Sequence, residues 1–292
     1  MQIFRRLIRF ARKPSREKQE ITRAYLRTAR CHLEDWGWRV PRLGNDRITY
    51  VLGLFGSGRT YIQRQLIDNI GVRNKYIRDM IRLHPHPTSM IYCGHATIRH
   101  LSRGQEAPEV TSRIFEAARA GFADVIFVNR HPLDSLLTNW VWWRIYLRDN
   151  FTCGGISRTY QNADDLCSDL ERNFPEFKAF AEGDPAFFAA SPGPPFLSLR
   201  ELVEETELYL ESPPLAIRLE DCSLDPLKEF SKIARVMSVD LDLTRLRLVP
   251  PRPKPYRHLA VREKVPRFRD FIDGLDAETK RRIEKIGYNQ AG

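Results

Sequence analysis

The chain has 292 residues, 42% of them hydrophobic and 29% charged, with a formal net charge of +10. That apolar content excludes a disordered chain and suits one large α/β domain, taken here as residues 1–292. No stretch approaches the roughly 18 consecutive apolar residues of a membrane-spanning helix. The charge favours an anionic partner: a nucleotide, a nucleic acid, an acidic glycan or a membrane surface.

Residues 1–13 put Ile3, Phe4, Leu7, Ile8 and Ala11 on one helical face, with Arg5, Arg6, Arg9 and Arg12 largely off it. Such a basic amphipathic helix either docks on the domain or lies on an anionic bilayer, a peripheral membrane contact, and it lacks the apolar core of a signal peptide. With a second helical stretch at 17–34 it makes residues 1–46 an N-terminal helical region. The five cysteines, Cys31, Cys93, Cys153, Cys167 and Cys222, are odd in number and without metal-ligand spacing, which predicts reduced thiols in a cytoplasmic protein.

Residues 47–54 form a β-branched run that ends in a glycine-bearing turn and leads into a helical pattern over 61–70. Short apolar runs at 89–93, 124–129 and 215–219 read as buried parallel strands separated by helices. The predicted fold is α/β, a central parallel sheet with helices on both faces. Residues 150–214 are polar, aromatic and rich in proline, most helical over 201–210, and are read as an acceptor-side insertion and lid. Trp140, Trp142, Trp143 and Tyr146 crowd one helix and are expected in the core rather than as a sugar platform.

Gly53-Leu54-Phe55-Gly56-Ser57-Gly58-Arg59-Thr60 has phosphate-loop spacing, with Arg in place of the usual Lys. Its glycines let consecutive N–H groups converge on one phosphate, and the helix that follows adds the positive end of its dipole. Further on, the strand at 124–129 runs into Arg130-His131-Pro132 and then a helix with Asp134 and Ser135 as capping candidates. Arg130 is thereby held at a strand's carboxyl end, with Thr138 two turns on, and a guanidinium with a hydroxyl suits a phosphate monoester.

These motifs resemble those of the PAPS-dependent sulfotransferases, where PAPS is 3′-phosphoadenosine-5′-phosphosulfate. Ser57, Gly58, Thr60 and Tyr61 match that family's loop for the 5′-phosphosulfate. Arg130, Pro132 and Asp134, with Thr138 in place of a Ser, match its 3′-phosphate strand. The likeness continues in the segment from Ile217 to Asp225-Pro226 and in Ile286-Gly287-Tyr288, so that it runs over about residues 48–289. Two departures stand out. The loop's basic position falls on Gly56, and Arg59 stands where the family has Thr; sliding the register by three residues puts Arg59 on the basic position but Tyr61 where the family has glycine. Ile91-Tyr92-Cys93-Gly94-His95 looks like the family's Lys-Thr-His strand end, with the Lys replaced by Cys93.

The resemblance implies a P-loop-like sulfotransferase fold and a metal-free transfer of the sulfuryl group of PAPS to an acceptor hydroxyl, leaving PAP. Gly56, Ser57, Gly58, Arg59, Thr60 and Tyr61 would hold the phosphosulfate, and Arg130 and Thr138 the 3′-phosphate. Lys254 and Arg257, in a basic loop, would close over it. His95 would take the acceptor proton, with Glu220, Asp221 or a carboxylate of residues 150–214 as substitutes, and Arg59 would supply the charge missing at Gly56. A carbohydrate, glycolipid or polysaccharide precursor is the favoured acceptor, and nucleic acid is not a partner on this reading. Two other readings stay open: a P-loop kinase using Mg-ATP, with Glu220 or Asp221 as metal ligand, and a non-enzymatic module binding nucleic acid or an anionic membrane.

Overall fold

A computed structural model describes residues 48–70, 74–76, 90–95, 97–100, 108–119, 123–149, 162–189, 196–211, 215–237 and 257–288. The N-terminal helical region and Lys254 lie outside these residues. The described chain forms β1 (Ile48–Gly53), α1 (Arg59–Ile70), β2 (Asn74–Tyr76), β3 (Met90–His95), α2 (Pro108–Arg119), β4 (Ala123–Asn129) and α3 (Pro132–Asp149). It continues as α4 (Ala163–Arg172), α5 (Phe174–Glu182), α6 (Pro185–Ala189), α7 (Leu199–Glu211), β5 (Leu215–Arg218), α8 (Leu219–Leu224) and α9 (Pro226–Val236). It closes with α10 (His258–Lys264), α11 (Pro266–Asp273) and α12 (Ala277–Lys285).

The five strands lie in the order β2-β3-β1-β4-β5, and every pairing is parallel. The fold is α/β with helices on both faces, as the alternation of apolar runs and helical segments predicts. β2, three polar or aromatic residues long, is the strand the sequence pattern did not reveal, because an edge strand of that length has no periodicity to read.

Alternation along the strands sorts the core into two layers. Val51, Ile126, Val128 and Ile217 face Ile62 and Leu66 of α1 and Phe230 and Ile233 of α9. Tyr50, Leu52, Val125 and Phe127 face a larger layer built from α2, α3, α4, α5, α7 and the three last helices. Trp140 and Trp143 are buried in that layer and stack on each other, ring centroids 5.0 Å apart, so these two aromatics are core.

Among the described residues of 150–214 four helices form, α7 among them covering the 201–210 stretch read as most helical. Local chemistry accounts for them. Asn162 and Asp165 form a capping box at the start of α4, and α5 has a proline in its first turn. Their apolar faces, including Leu166, Leu170, Phe177 and Phe180, are fully buried. Each such side chain contributes about 1.5–3 kcal/mol on burial. Asp225-Pro226 likewise starts a helix: Asp225 accepts from the N–H of Lys228 and Pro226 opens α9.

Candidate functional site

The chain leaves β1 through a turn in which the N–H of Ser57 donates to the Leu54 carbonyl at 3.0 Å, and Gly56 and Gly58 have φ of 87° and 88°. Side chains other than glycine rarely adopt that region. Gly53 is needed for a different reason: a Cβ there would collide with Ser57 Oγ and lie 2.8 Å from the Val128 carbonyl oxygen. The turn is thus pressed onto the end of β4. α1 starts at once at Arg59, and its first-turn amides have no carbonyl within the helix to donate to. Ser57 is buried, and its hydroxyl has no partner among the described residues.

Thr60 is exposed beside the turn, whereas Arg59 is only 5% exposed and its Nη1 lies 3.5 Å from Gln63 Oε1, one turn along the same helix. Tyr61 turns the other way and packs against the layer of Val51 and Ile217; burial, then the neighbouring Cys222, push its phenol up to about 12.

Arg130 follows β4 immediately and is buried. Its Nη1 lies 3.3 Å from Thr138 Oγ1 and 3.5 Å from the Gly56 carbonyl, while Nη2 is 3.1 Å from Asp134 Oδ2. Gly56 also touches the first two turns of α3, since a Cβ on it would stand 3.1 Å from both the Ser135 carbonyl and Thr138 Cβ. The structure therefore brings together the two segments that the sequence offered separately. Strand register explains it: Gly53 pairs with Val128, so the loop after β1 and the residue after Asn129 leave the same edge of the sheet.

Asp134 does not cap α3 as expected. Leu133 N–H donates instead to His131 Nδ1 at 3.2 Å, and Ser135 N–H donates to the His131 carbonyl. Asp134 is freed to pair with Arg130 and with His258 at the start of α10. Burial alone would push its carboxyl up, but the His258 hydrogen bond and the Arg130 guanidinium outweigh burial and hold it at about 2. His131 stacks on His258 at 4.0 Å and meets Tyr288 edge-on at 5.1 Å. Burial, then His258, drive His131 down to about 3, so it is neutral at pH 7.

Glu220 Oε1 accepts from the His131 N–H at 3.1 Å, and the single hydrogen of the Tyr288 hydroxyl lies within reach of both Asn129 Oδ1, at 3.1 Å, and Glu220 Oε2, at 3.3 Å. Burial raises the Glu220 carboxyl. Glu220 is thus tied into the backbone at the start of α3. Arg257, the residue before α10, is exposed.

β3 ends at His95, whose Cα partner in β1 is Gly53, the first residue of the loop. Adjacent strands lie roughly 4.8 Å apart, so His95, the loop and Arg130 share one sheet edge, with the loop in the middle. Between that edge and α7 is a water-sized pocket lined by Ser57, Asn129, Arg130 and Ser135 from the loop side and Leu202 and Thr206 from α7. Its position, at the carboxyl ends of β1 and β4 where strand order changes direction, is where open α/β sheets bind ligands. Sequence reasoning gave no contact role to His258, Asn129 or Tyr288. Asn129 directly precedes Arg130, whereas His258 and Tyr288 reach the site from the far end of the chain, where no local pattern marks the contact.

No family model matches the chain, and no curated protein matches it. Among solved structures it is similar to mouse sulfotransferase SULT7A1 complexed with PAP, with 14% identity over 83% of this chain and 82% of that one and a TM-score of 0.40. It is also similar to a sulfotransferase from Alicyclobacillus acidocaldarius, with 10% identity over 84% of this chain and 96% of that one and a TM-score of 0.45.

Proposed function

We propose that this protein is a sulfotransferase that moves the sulfuryl group of PAPS to an acceptor hydroxyl carried by a carbohydrate, glycolipid or polysaccharide precursor. The observation that carries this reading is the contact between two anion-binding devices: Arg130 stands 3.3 Å from Thr138 Oγ1 and 3.5 Å from the carbonyl of Gly56. A donor with a 5′-phosphosulfate and a separate 3′-phosphate needs two such devices side by side. A nucleoside triphosphate needs one phosphate loop and a metal site. The Ser57 hydroxyl, buried and without a partner among the described residues, fits an anionic oxygen in the loop.

When bound, the donor supplies a mixed phosphate–sulfate anhydride, whose sulfuryl group passes to the acceptor oxygen while PAP leaves. The amides of Gly58, Arg59 and Thr60 hold the 5′-end, since those of Ser57 and Tyr61 already donate to the carbonyls of Leu54 and Gly58. Arg59 neutralises charge that develops on the bridging oxygen, which requires it to turn from Gln63 towards the loop. Arg130 and Thr138 grip the 3′-phosphate, and Lys254 and Arg257 close over it. His95 accepts the acceptor's proton, which a group titrating near neutrality does efficiently.

The test is a calorimetric titration with PAP and, separately, ATP, each with magnesium and with EDTA. Tight, metal-independent binding of PAP is expected. A preference for magnesium-ATP would replace this reading with a kinase, and binding of neither nucleotide would remove the donor site.

A further inference from the structure

Glu205 lies on α7 and is completely buried, yet it pairs with no cation among the described residues. Its carboxylate is spent on the backbone. Oε2 accepts from the N–H of Ile98 at 2.6 Å, and Oε1 accepts from those of Arg99 at 2.7 Å and His100 at 2.6 Å. Three consecutive amides converging on one anion form the concave arrangement that proteins use to bind phosphate or carboxylate. Here the chain supplies the anion itself, from more than a hundred residues away. The segment so held follows the end of β3, with one residue between His95 and Thr97.

The helix that presents Glu205 is fixed to the sheet. Tyr209, one turn on, stacks flat on Phe127 of β4 with centroids 3.9 Å apart and 2° between the rings. Arg282 of α12 binds Glu204 and Glu207, and the His100 ring lies 3.1 Å from Glu204 and 3.5 Å from Glu201. On the same helix Leu202 and Thr206 line the pocket shared with Ser57 and Arg130. A single rigid element therefore walls the pocket at the phosphate loop and holds the chain where it leaves the strand ending in His95.

We infer that Glu205 is the positioning residue for His95: its carboxylate fixes the exit of β3 relative to the phosphate loop, and so sets where His95 stands at the sheet edge. This rests on the reading of His95 as the proton acceptor. Three N–H donors need an acceptor with several lone pairs at one place, and a carboxylate is the side chain that offers them without a competing donor. A glutamine there turns its own N–H₂ towards at least one of the amides, and one to two of the three bonds are lost.

The experiment compares wild type with Glu205→Gln, Glu205→Asp and His95→Ala. Three quantities are read: PAP affinity, the rate at which PAPS is turned over to PAP with water as the acceptor, and the ring resonances of the seven histidines by NMR, His95 being assigned from the His95→Ala spectrum. Glu205→Gln is expected to keep PAP affinity within about twofold, to shift the His95 resonance and its titration midpoint, and to lower turnover by on the order of 10²-fold, the cost of a displacement of about 1 Å at a reacting group. Glu205→Asp keeps the anion and recovers part of both.

Unchanged His95 resonance and turnover in Glu205→Gln would overturn the inference. Should that variant fail to fold, Glu205→Asp decides by the same two readouts. The base assignment fails separately, if His95→Ala turns PAPS over at the wild-type rate. In that case a His95 resonance moved by Glu205→Gln still upholds the positioning role.

Discussion

Asp134 Oδ1 accepts both the backbone N–H of His258, at 2.6 Å, and the His258 ring Nδ1–H, at 2.8 Å, across 124 positions of sequence. The tautomer follows from the chemistry. A carboxyl held at about 2 is ionised at neutral pH and can only accept, so Nδ1 carries the hydrogen. Asp134 at the same time holds Arg130 by its other oxygen, at 3.1 Å. One carboxylate thus ties the guanidinium beside the phosphate loop to the start of α10, and the basic residue Arg257 immediately precedes that start.

Arg130→Ala tests what the guanidinium is for. If it grips the 3′-phosphate, PAP binding weakens by about 10- to 100-fold, the worth of a charge-assisted hydrogen bond of about 1.5–3 kcal/mol, while binding of adenosine 5′-phosphate changes little. Isothermal titration with both nucleotides separates the cases. Equal losses for the two would make Arg130 a structural counter-ion of Asp134.

The histidine stack predicts an acid-sensitive fold. His131 titrates at about 3 in the folded protein against an ordinary 6.5, so below pH 6.5 the unfolded chain binds a proton that the folded chain refuses. Stability is complete above the unfolded value and falls with pH by about 1.4 kcal/mol per unit, down towards the folded value. At pH 5 the loss is about 2 kcal/mol. Asp134 acts below this window, its contribution being lost only as pH falls from 3.8 to about 2, whereas the raised Glu220 carboxyl takes up its proton more readily in the folded protein and offsets part of the His131 decline. Urea denaturation between pH 7.5 and 5 is expected to show the decline, and His131→Asn, whose amide oxygen can still accept from Leu133 N–H, is expected to flatten it. A variant with the wild-type slope would mean that other groups set the acid limit.

Gly53→Ala probes the close approach of the loop to β4. The added methyl meets Ser57 Oγ and the Val128 carbonyl, and the latter is backbone and cannot rotate away. The loop must lift, and the strain is expected to cost about 1–3 kcal/mol of stability, as for an overpacked core site. PAP affinity falls with it, because the amides no longer converge. Thermal unfolding with and without PAP reads both effects. A variant that keeps its melting temperature and its PAP-induced shift would show that the loop accommodates a side chain at this point.

The two candidate anion-binding segments were legible in the sequence because each is local. Gly56 to Thr60 and Arg130 to Thr138 are single strand–turn–helix units, where spacing alone sets which groups can face a ligand. Asp134 was also visible, but its role was misread as a helix cap. The turn at His131 already supplies an acceptor to Leu133 N–H, and the true partner, His258, approaches from the end of the chain.

The four main strands, the helices on both faces and the central glycine-rich turn follow from the sequence by itself, since hydrophobic period and glycine placement act over a few residues. Strand order, and with it the meeting of Arg130 with the Gly56 carbonyl, was decided only in the tertiary structure. So were the reach of Glu205 to the amides of Ile98, Arg99 and His100 and the bridging of Arg130 and His258 by Asp134. The physical reason is common to all of them. A buried charge must find partners wherever the packed chain brings donors near it, and that proximity is a property of the whole fold rather than of any segment.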